Sequence, residues 1–319
     1  MSVSHYPRGI ALPANAGGNP FGNTWFVDAT NGSDAYPGDT ADRAVLTIAK
    51  AIELGVAGDN IILSPGTHSV DVSASALIPL ADMQFIAAIP PMGGKPSTII
   101  THDADDGVAI VAIDVDGVGF HGIEFLMVAG GTTAIQLINA SQTTAVTGLV
   151  FRDCWFNQNS VDASGVLSLA LNDATNATTG LVIKNCRFIG ADATTNVAYH
   201  ISVGVTGIPD ALIEDNVFVM QSIDGDCSAM IFADPTATTG SYAMTIRNND
   251  FIGPVDGGGD AVALVFNASM TEDEIVPMIR TNYFSNCTVP ITIDKVNNGM
   301  IQNYVGDNAT GGTLVDPGT

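Results

Sequence analysis

The amino-acid sequence of this 319-residue chain predicts an all-β fold, a solenoid of the parallel β-helix type. A motif recurs in which an apolar residue is followed by an outward polar residue, two small polar residues, a variable residue and an aromatic one. Its copies begin at Phe120, Phe151, Ile183, Ile213, Ile246, Ile279 and Ile301, with spacings of 31, 32, 30, 33, 33 and 22 residues. Such periods are typical of stacked repeats. Each copy fits a strand, a tight turn and a second strand, with both apolar ends pointing inward.

Stacking the copies predicts two ladders of side chains. The aromatic positions form an apolar core ladder of Phe125, Phe156, Phe188, Phe218, Phe251 and Phe284. The second turn positions form another, of Cys154, Cys186, Asn216, Asn249 and Asn282. Asparagine tolerates the left-handed conformation that we expect in this turn and can hydrogen-bond to the next rung. The two cysteines fall on adjacent rungs, roughly 4.8 Å apart, and we favour a reduced pair over a disulfide because no feature indicates secretion.

Composition and charge narrow the classes of function. Charged residues make up only 13% of the chain and hydrophobic ones 46%, so much of the surface is uncharged or covered by a partner. The 10 basic and 33 acidic residues give a net charge of −23, which opposes attraction to nucleic acid or anionic membranes. No apolar run approaches the roughly 20 residues that span a bilayer. We therefore expect neither a nucleic-acid partner nor a membrane.

The chain divides into three predicted parts. Residues 1–23 are an extended arm that the body or a neighbouring subunit holds in place. Residues 24–305 are the β-helix, with about ten coils, and residues 306–319 are a polar tail. Near the start of the β-helix, Thr40 is the expected N-cap of an amphipathic helix over about 41–54, which would cover the open end of the solenoid.

The start of the β-helix resembles a known superfamily. The segments that carry the resemblance are Asn31-Gly32-Ser33-Asp34, Thr47-Ile48-Ala49-Lys50-Ala51-Ile52, Gly58-Asp59-Asn60-Ile61 and Ser64-Pro65-Gly66-Thr67. They are similar to the opening of right-handed parallel β-helices called pectin-lyase-like, and such openings are frequent in phage virion proteins. The resemblance covers about residues 24–305 and implies a right-handed β-helix. For function it implies either a polysaccharide-active enzyme or a virion protein.

An enzyme of this superfamily would need a recognisable set of catalytic groups. A lyase needs a basic side chain and usually a calcium ion, but no repeated acidic cluster adjoins the lysines, which are Lys50, Lys95, Lys184 and Lys295. A hydrolase needs carboxylates about 5 to 9.5 Å apart on one face. Consecutive residues such as Asp105 and Asp106 face opposite ways in a strand, and Asp114 and Asp116 are more typical of a turn. We therefore predict no catalytic residues and no cofactor.

The loop that follows the first β-helix strand has oxygen ligands at short spacing, Asp28, Asn31, Asp34 and Asp39. These residues could hold calcium, although the spacing departs from an EF-hand, and turn formation explains them equally well. We predict no metal site here.

One charge pattern stands out on this acidic chain. Arg152, Lys184, Arg247 and Arg280 occupy the same outward position of the repeat, which Glu214 interrupts, and Arg187 is nearby. A row of cations is a candidate interface for the acidic surface of a neighbour. The alternative is that these residues guard an exposed edge and pair with Glu214 and aspartates on adjacent rungs. The sequence leaves both interpretations open.

The sequence predicts a non-enzymatic structural protein of a phage virion, located in the virion after assembly in the host cytoplasm. Capsid decoration is favoured over a tail spike or fibre because the chain is short. Its expected partners are capsid or tail proteins and copies of itself, as a trimer by resemblance to other viral β-helices. The alternative is a polysaccharide-binding or polysaccharide-degrading protein, for which the aromatic residues to inspect are Trp155, Tyr199, Tyr242 and Tyr283.

Overall fold

The structure is a computed structural model, and most of the strands in its described part form a parallel stack, with Ser4–His5 and Ala11–Leu12 as an antiparallel pair. It describes residues 4–5, 11–12, 19–71, 76–91, 94–102, 109–127, 136–140, 143–158, 167–171, 176–190, 198–204, 207–221, 227–232, 242–254, 261–266, 275–292, 300–301 and 304–305. The predicted tail at 306–319, Asp105, Asp106 and Lys295 lie outside the described residues. None of the helices in these ranges has the length and apolar character to cross a bilayer.

The strands are numbered in chain order. The first ten are β1 (Ser4–His5), β2 (Ala11–Leu12), β3 (Thr24–Val27), β4 (Asn60–Leu63), β5 (Gly66–Val70), β6 (Gln84–Ala87), β7 (Thr98–His102), β8 (Val111–Ile113), β9 (Gly119–His121) and β10 (Ile123–Leu126). The next ten are β11 (Gln136–Ala140), β12 (Val146–Thr147), β13 (Val150–Arg152), β14 (Trp155–Asn157), β15 (Leu167–Leu171), β16 (Thr178–Thr179), β17 (Val182–Lys184), β18 (Arg187–Ile189), β19 (Ala198–Val203) and β20 (Leu212–Glu214). The last ten are β21 (Val217–Val219), β22 (Cys227–Phe232), β23 (Tyr242–Arg247), β24 (Asp250–Ile252), β25 (Ala261–Phe266), β26 (Ile275–Arg280), β27 (Tyr283–Ser285), β28 (Val289–Thr292), β29 (Met300–Ile301) and β30 (Tyr304–Val305).

Three parallel sheets form the solenoid, and the chain visits them in turn. Sheet 1 has ten strands in the order β3-β4-β6-β9-β13-β17-β20-β23-β26-β29. Sheet 2 has nine, β5-β7-β10-β14-β18-β21-β24-β27-β30, and sheet 3 has seven, β8-β11-β15-β19-β22-β25-β28. The prediction of a parallel β-helix is confirmed. The predicted number of about ten coils is not, since at most seven rounds of the described chain contribute a strand to all three sheets.

The predicted phenylalanine ladder is present in the core. Its six rings are fully buried, and consecutive centroids lie between 4.5 and 5.3 Å apart with nearly parallel planes. A second stack of Phe85, Phe120 and Phe151 runs beside it from sheet 1, with centroids 4.9 and 5.4 Å apart. The two stacks meet edge to face at 5.4 Å, the geometry that aromatic quadrupoles favour.

The helix near the start of the β-helix is shorter than predicted. Ala41–Arg43 is a single 3-10 turn, and the α-helix, α1, spans only Ile48–Leu54. Thr40 makes no capping hydrogen bond; Thr47 is the N-cap, accepting from the backbone N–H of Lys50 at 3.1 Å. The predicted capping of the solenoid end by this helix stays a prediction.

A loop covers the outer edge of β3, the first strand of sheet 1. The backbone N–H of Phe26 donates to the carbonyl of Gly38 at 2.8 Å, and Val45 exchanges hydrogen bonds with Phe26 and Asp28 at 2.9 Å. This pairing satisfies backbone groups that an open sheet edge would leave exposed.

Candidate functional site

The turn between sheets 1 and 2 contains two adjacent rows of side chains. The outer turn row consists of Asp153, Asn185, Asp215, Asn248 and Thr281, and the inner turn row consists of Cys154, Cys186, Asn216, Asn249 and Asn282. All five inner residues are buried. The left-handed residues are those of the outer row, with φ between 53° and 58°, so our assignment of this conformation to the inner row was wrong. Aspartate and asparagine are the non-glycine residues that adopt it most readily.

The predicted asparagine ladder in the inner turn row is present. The side-chain amide of Asn216 donates to Oδ1 of Asn249, and that of Asn249 donates to Oδ1 of Asn282, both at 3.0 Å. The same amides donate to carbonyls of the preceding coils, and Oδ1 of Asn249 also accepts from the backbone N–H of Asn216. The ladder thus satisfies buried turn groups.

The predicted basic row lies in register along sheet 1. Arg152 pairs with Lys184, Lys184 with Glu214, Glu214 with Arg247 and Arg247 with Arg280 on successive strands. Towards the N-terminal end the row continues with His121, whose pKa is lowered to about 4 by burial and by the positive charge of Arg152. This histidine is therefore uncharged at neutral pH.

Glu214 neutralises the middle of this row. Its side chain is 6% exposed; Oε1 lies 2.6 Å from Nζ of Lys184, and Oε2 lies 2.7 Å from Nε of Arg247. The Lys184 hydrogen bond, followed by that of Arg247, lowers the pKa of Glu214 against the opposing effect of burial. Cross-rung pairing therefore accounts for two of the five predicted interface cations. Arg152 and Arg280 make no ion pair with any described residue.

Arg187, the fifth predicted interface residue, belongs to sheet 2. Its guanidinium carbon lies 5.3 Å from the ring centroid of Trp155, the residue it pairs with on the preceding strand. This distance is within the range of a cation–π contact. The contact fixes an exposed cation beside a half-buried indole at the start of an open groove.

This groove, which we call the edge groove, has a volume of about 180 Å³. It is lined by Pro91, Gly94, Asp153, Trp155, Asn185, Cys186, Arg187, Asp215 and Val217. The outer turn row supplies its carboxylates and amide, and sheet 2 supplies the indole and guanidinium. It therefore combines apolar surface with charged and polar groups.

The wall of the edge groove that contains Pro91 and Gly94 is anchored to the coil beneath it. Nζ of Lys95 lies 3.0 Å from Oε1 of Glu124, a carboxylate with no exposed surface that also accepts from Nδ2 of Asn157 at 3.1 Å. Gly122 has a φ of +71°, and a Cβ there would lie 2.9 Å from Cδ of Pro91. Glycine is thus required for the loop to approach so closely.

A second groove, the end groove, lies between α1 and the first coils and has a volume of about 370 Å³. Its lining is Thr47, Ile48, Ala49, Ile52, Ser69, Val70, Asp71, Ala76, Leu77 and Ile78. Ile78 is 59% exposed. The groove is mainly aliphatic and contains one carboxylate, Asp71.

The residues considered for catalysis are engaged in structural contacts. Each of the three described lysines is ion-paired: Lys50 with Glu53, Lys95 with Glu124 and Lys184 with Glu214. Asp114 and Asp116 accept backbone N–H groups of Thr143 and Thr147 in the next coil, at 2.9 and 2.6 Å. These two carboxylates stabilise turns.

The candidate calcium loop also uses its carboxylates internally. Asp28 accepts from the backbone N–H groups of Thr30 and Asn31, and Asp39 accepts from Arg43. Asp34 accepts from Leu46 and from both the backbone and hydroxyl of Thr47. Across the described residues, no group of three or more histidine, cysteine, aspartate or glutamate side chains is placed to hold a metal ion.

Sequence reasoning missed two buried carboxylates. Glu124 lies in the copy of the motif that begins at Phe120 and was given no role of its own, although it anchors the loop that bounds the edge groove. Asp59 is 1% exposed and accepts four hydrogen bonds: from the backbone and side chain of Asn23, from Nε1 of Trp25 and from the backbone N–H of Val56. Burial raises the pKa of Asp59, but these hydrogen bonds outweigh that effect, so the pKa lies below its ordinary value. For Glu124 the available signal was an acidic residue between two apolar strand positions, Ile123 and Phe125.

Comparisons with known proteins identify the fold. Neither a protein-family model nor a curated protein sequence matches the chain. Among solved structures, a rhamnogalacturonan lyase matches with a TM-score of 0.51 at 16% identity, over 88% of this chain and 73% of the lyase. The fold is a pectin-lyase-like, right-handed parallel β-helix. A pectin methylesterase from Aspergillus niger also matches, with a TM-score of 0.50 at 12% identity, over 92% of this chain and 87% of the esterase. At these identities the likeness concerns the fold alone.

Proposed function

We propose that this β-helix is a non-enzymatic structural protein of a phage virion, with capsid decoration as its role and a tail spike or fibre component as the variant. The observation that supports the proposal best is the end groove, an accessible aliphatic surface on a chain with only 13% charged residues. Contiguous apolar surface of this kind is typical of protein–protein contacts. The phage assignment itself depends on the resemblance of the opening segments.

The attachment point of the N-terminal arm supports the same proposal. Asn19 is tied to the body: its N–H donates to Oδ1 of Asn60 at 2.7 Å, and its side chain donates to the carbonyl of Gly58 at 2.9 Å. Gly58 in turn donates to Ala81, three residues after Ile78 of the end groove. Asn19, from which residues 1–18 extend, is therefore fixed to the segment around Gly58, and in this proposal the arm and the end groove engage the same neighbour.

The alternative, a polysaccharide-degrading enzyme, has less support. Two of the fold neighbours of this chain are named as a rhamnogalacturonan lyase and a pectin methylesterase. In this chain, however, the described lysines are paired, and one row of residues in register across strands β8 to β25 of sheet 3 consists of Ala112, Asn139, Ala170, Ser202, Ile231 and Val265. This row offers no acid, base or nucleophile of ordinary catalytic type apart from one hydroxyl.

Assembly can be tested on the full chain and two point variants. We expect the protein to be trimeric by light scattering and to bind virus-like shells of its phage. Ile78→Ser should weaken self-association or shell binding by about tenfold, because it removes apolar area from the end groove. Met278→Ser is the matched control, since Met278 is an exposed apolar residue on β26, near the other end of sheet 1.

Deletion of residues 1–18 tests the contribution of the arm independently of the end groove. It leaves the hydrogen bonds of Asn19 in place. Loss of shell binding on this deletion would support a role of the arm in assembly. The proposal would be contradicted if the protein were monomeric, did not bind shells and cleaved pectin or rhamnogalacturonan.

A further inference from the structure

The end groove is an aliphatic surface that a single copy of the chain leaves open. Most of its lining is apolar, Asp71 is its carboxylate, and Ile78 is 59% exposed. Apolar surface of this kind is typical of a site that another protein segment covers. In the described part of the chain, no residue of the arm lies among the lining residues, although the arm is attached to the same chain. The segment that covers the groove is therefore sought on a second copy.

The arm of residues 1–18 has a composition that complements this groove. It contains the apolar run Ile10-Ala11-Leu12-Pro13, and its one charged side chain at neutral pH is that of Arg8. It contains no acidic residue, whereas the other 301 residues contain all 33 acidic residues and 9 of the 10 basic ones. The charge of the arm is thus attracted to the acidic body, and its apolar run matches the aliphatic lining.

Part of the arm is a hairpin that requires a supporting surface. Strands β1 and β2 pair antiparallel, with Ser4 opposite Leu12 and His5 opposite Ala11. Among the described strands, these two pair with each other and join none of the three parallel sheets. A two-stranded hairpin alone is marginally stable at best in water and gains stability by packing on another element. Packing of this hairpin in an end groove would supply that surface and bury the aliphatic lining.

The attachment point of the arm leaves enough chain for such a contact. The seven residue steps from Leu12 to Asn19 span up to about 24 Å when fully extended. Asn19 is fixed to Gly58, whose N–H donates to the carbonyl of Ala81, three residues after Ile78 of the groove. The arm and the groove of each copy therefore lie at the same end of the solenoid. Copies that assemble with these ends together can exchange arms.

We propose that the end groove binds the β1–β2 hairpin of a second copy of this chain, with the Ile10–Leu12 run against the aliphatic lining and Arg8 beside the carboxylate of Asp71. Exchange of an identical element between copies is a low-cost route to an oligomer. The proposal rests on the proposed function in one respect, that the end groove is an assembly surface. It names the occupant of that surface and does not require a virion.

Disulfide trapping between two cysteine variants of the full chain tests the proposal. The native cysteines are buried, so thiols added in the arm and the groove react first. Leu12→Cys and Ile78→Cys, each with a different affinity tag, are mixed and treated with a mild thiol oxidant. We expect a covalent dimer that contains both tags. Met278→Cys in place of Ile78→Cys is the matched control and should give about tenfold less dimer, because Met278 is exposed near the other end of sheet 1.

Self-association measured by light scattering is the second readout. Leu12→Ser should weaken it by about tenfold, as expected for Ile78→Ser, because both substitutions remove apolar area from one contact. Combining the two should therefore cause no further loss. Ala16→Ser lies elsewhere in the arm and is the control, which should leave self-association unchanged.

Three results would overturn the proposal. They are a yield of covalent dimer no higher than with Met278→Cys, an intrachain disulfide in place of a dimer when Leu12→Cys and Ile78→Cys are combined in one chain, and additive losses from Leu12→Ser and Ile78→Ser. The second result would assign the arm to its own groove. Shell binding is measured separately. Trapped dimer without shell binding would contradict the virion role alone, and shell binding without trapped dimer would contradict arm exchange alone.

Discussion

The inner and outer turn rows are adjacent in the sequence but use the same amide side chain differently. Asn249 of the inner row is buried and takes part in four side-chain hydrogen bonds, to Asn216, Ile213 and Asn282. Asn248 of the outer row is exposed, has a φ of 55°, donates to Asp215 and accepts from the hydroxyl of Thr281. Water can replace the partners of the outer residue but not those of the inner one. Hydrogen bonds between neighbouring rungs therefore contribute to stability mainly in the buried inner turn row.

The largest difference is expected between Asn249→Ala and Asn248→Gly. The first leaves several buried donors and acceptors without partners and should lower the free energy of unfolding by about 3 kcal/mol or more. The second keeps the left-handed turn accessible and should cost about 1 kcal/mol or less. Urea denaturation of both variants measures the two values. Equal losses would show that burial does not separate the rows.

Asp59 is a buried polar group whose hydrogen bonds are satisfied without a repeated row of equivalent side chains. It accepts four hydrogen bonds at a single position, so Asp59→Asn, which cannot accept at its amide nitrogen, should cost about 2 kcal/mol. Asp39→Asn, in an ion pair whose partners are both about half exposed, is the control and should change little.

Asp59 should also contribute to the pH dependence of stability. Because its folded-state pKa is depressed, its stabilisation is present above the ordinary value of about 3.9 and is lost as the pH falls through the folded value. Melting temperatures measured between pH 5 and 2 should fall less steeply in Asp59→Asn than in wild type. Identical slopes would contradict this assignment.

Glu214 is expected to have a smaller effect on the pH dependence of stability than Asp59, because it lies in the outward row of sheet 1. Its pKa is lowered by Lys184 and Arg247, so its contribution is present above the ordinary value of about 4.3 and is lost as acid protonates it. Glu214→Gln should lower the melting temperature at pH 7 and narrow the gap to wild type below pH 4. Glu53→Gln, at a 70% exposed position paired with Lys50, should leave the profile unchanged. If the difference in melting temperature between wild type and Glu214→Gln were the same at all pH values, the ion pairs of Glu214 would not be the cause of that difference.

The smallest effect is expected where the inner row changes from cysteine to asparagine. Cys186 is buried, and its pKa is raised by burial and by the neighbouring Cys154 thiol. Its backbone N–H already donates to Oδ1 of Asn216 at 2.8 Å. Cys186→Asn should extend the ladder by one rung and change the free energy of unfolding by about 1 kcal/mol or less. Cys186→Val, which adds volume without an amide, is the control; a larger loss in the asparagine variant would contradict this continuation.

Local repetition made much of the fold predictable. The spacing of the motif and the aromatic ends specified parallel strands, the phenylalanine ladder and the asparagine ladder, because each coil repeats the same inward and outward alternation. The register of Arg152, Lys184, Glu214, Arg247 and Arg280 was predictable for the same reason. The helix start and the left-handed turn position were not, since they depend on one hydrogen bond or one dihedral angle rather than on a repeated pattern.

The sequence by itself determined which residues share a row, since a fixed period places equivalent positions one strand spacing apart. Only the tertiary structure decided what those rows do. It neutralised the middle of the basic row at Glu214, placed Arg187 over Trp155, and brought Pro91 and Gly94 beside residues 59 or more positions away in the edge groove. These outcomes depend on side-chain reach and on how a loop folds across coils. No single repeat contains that information.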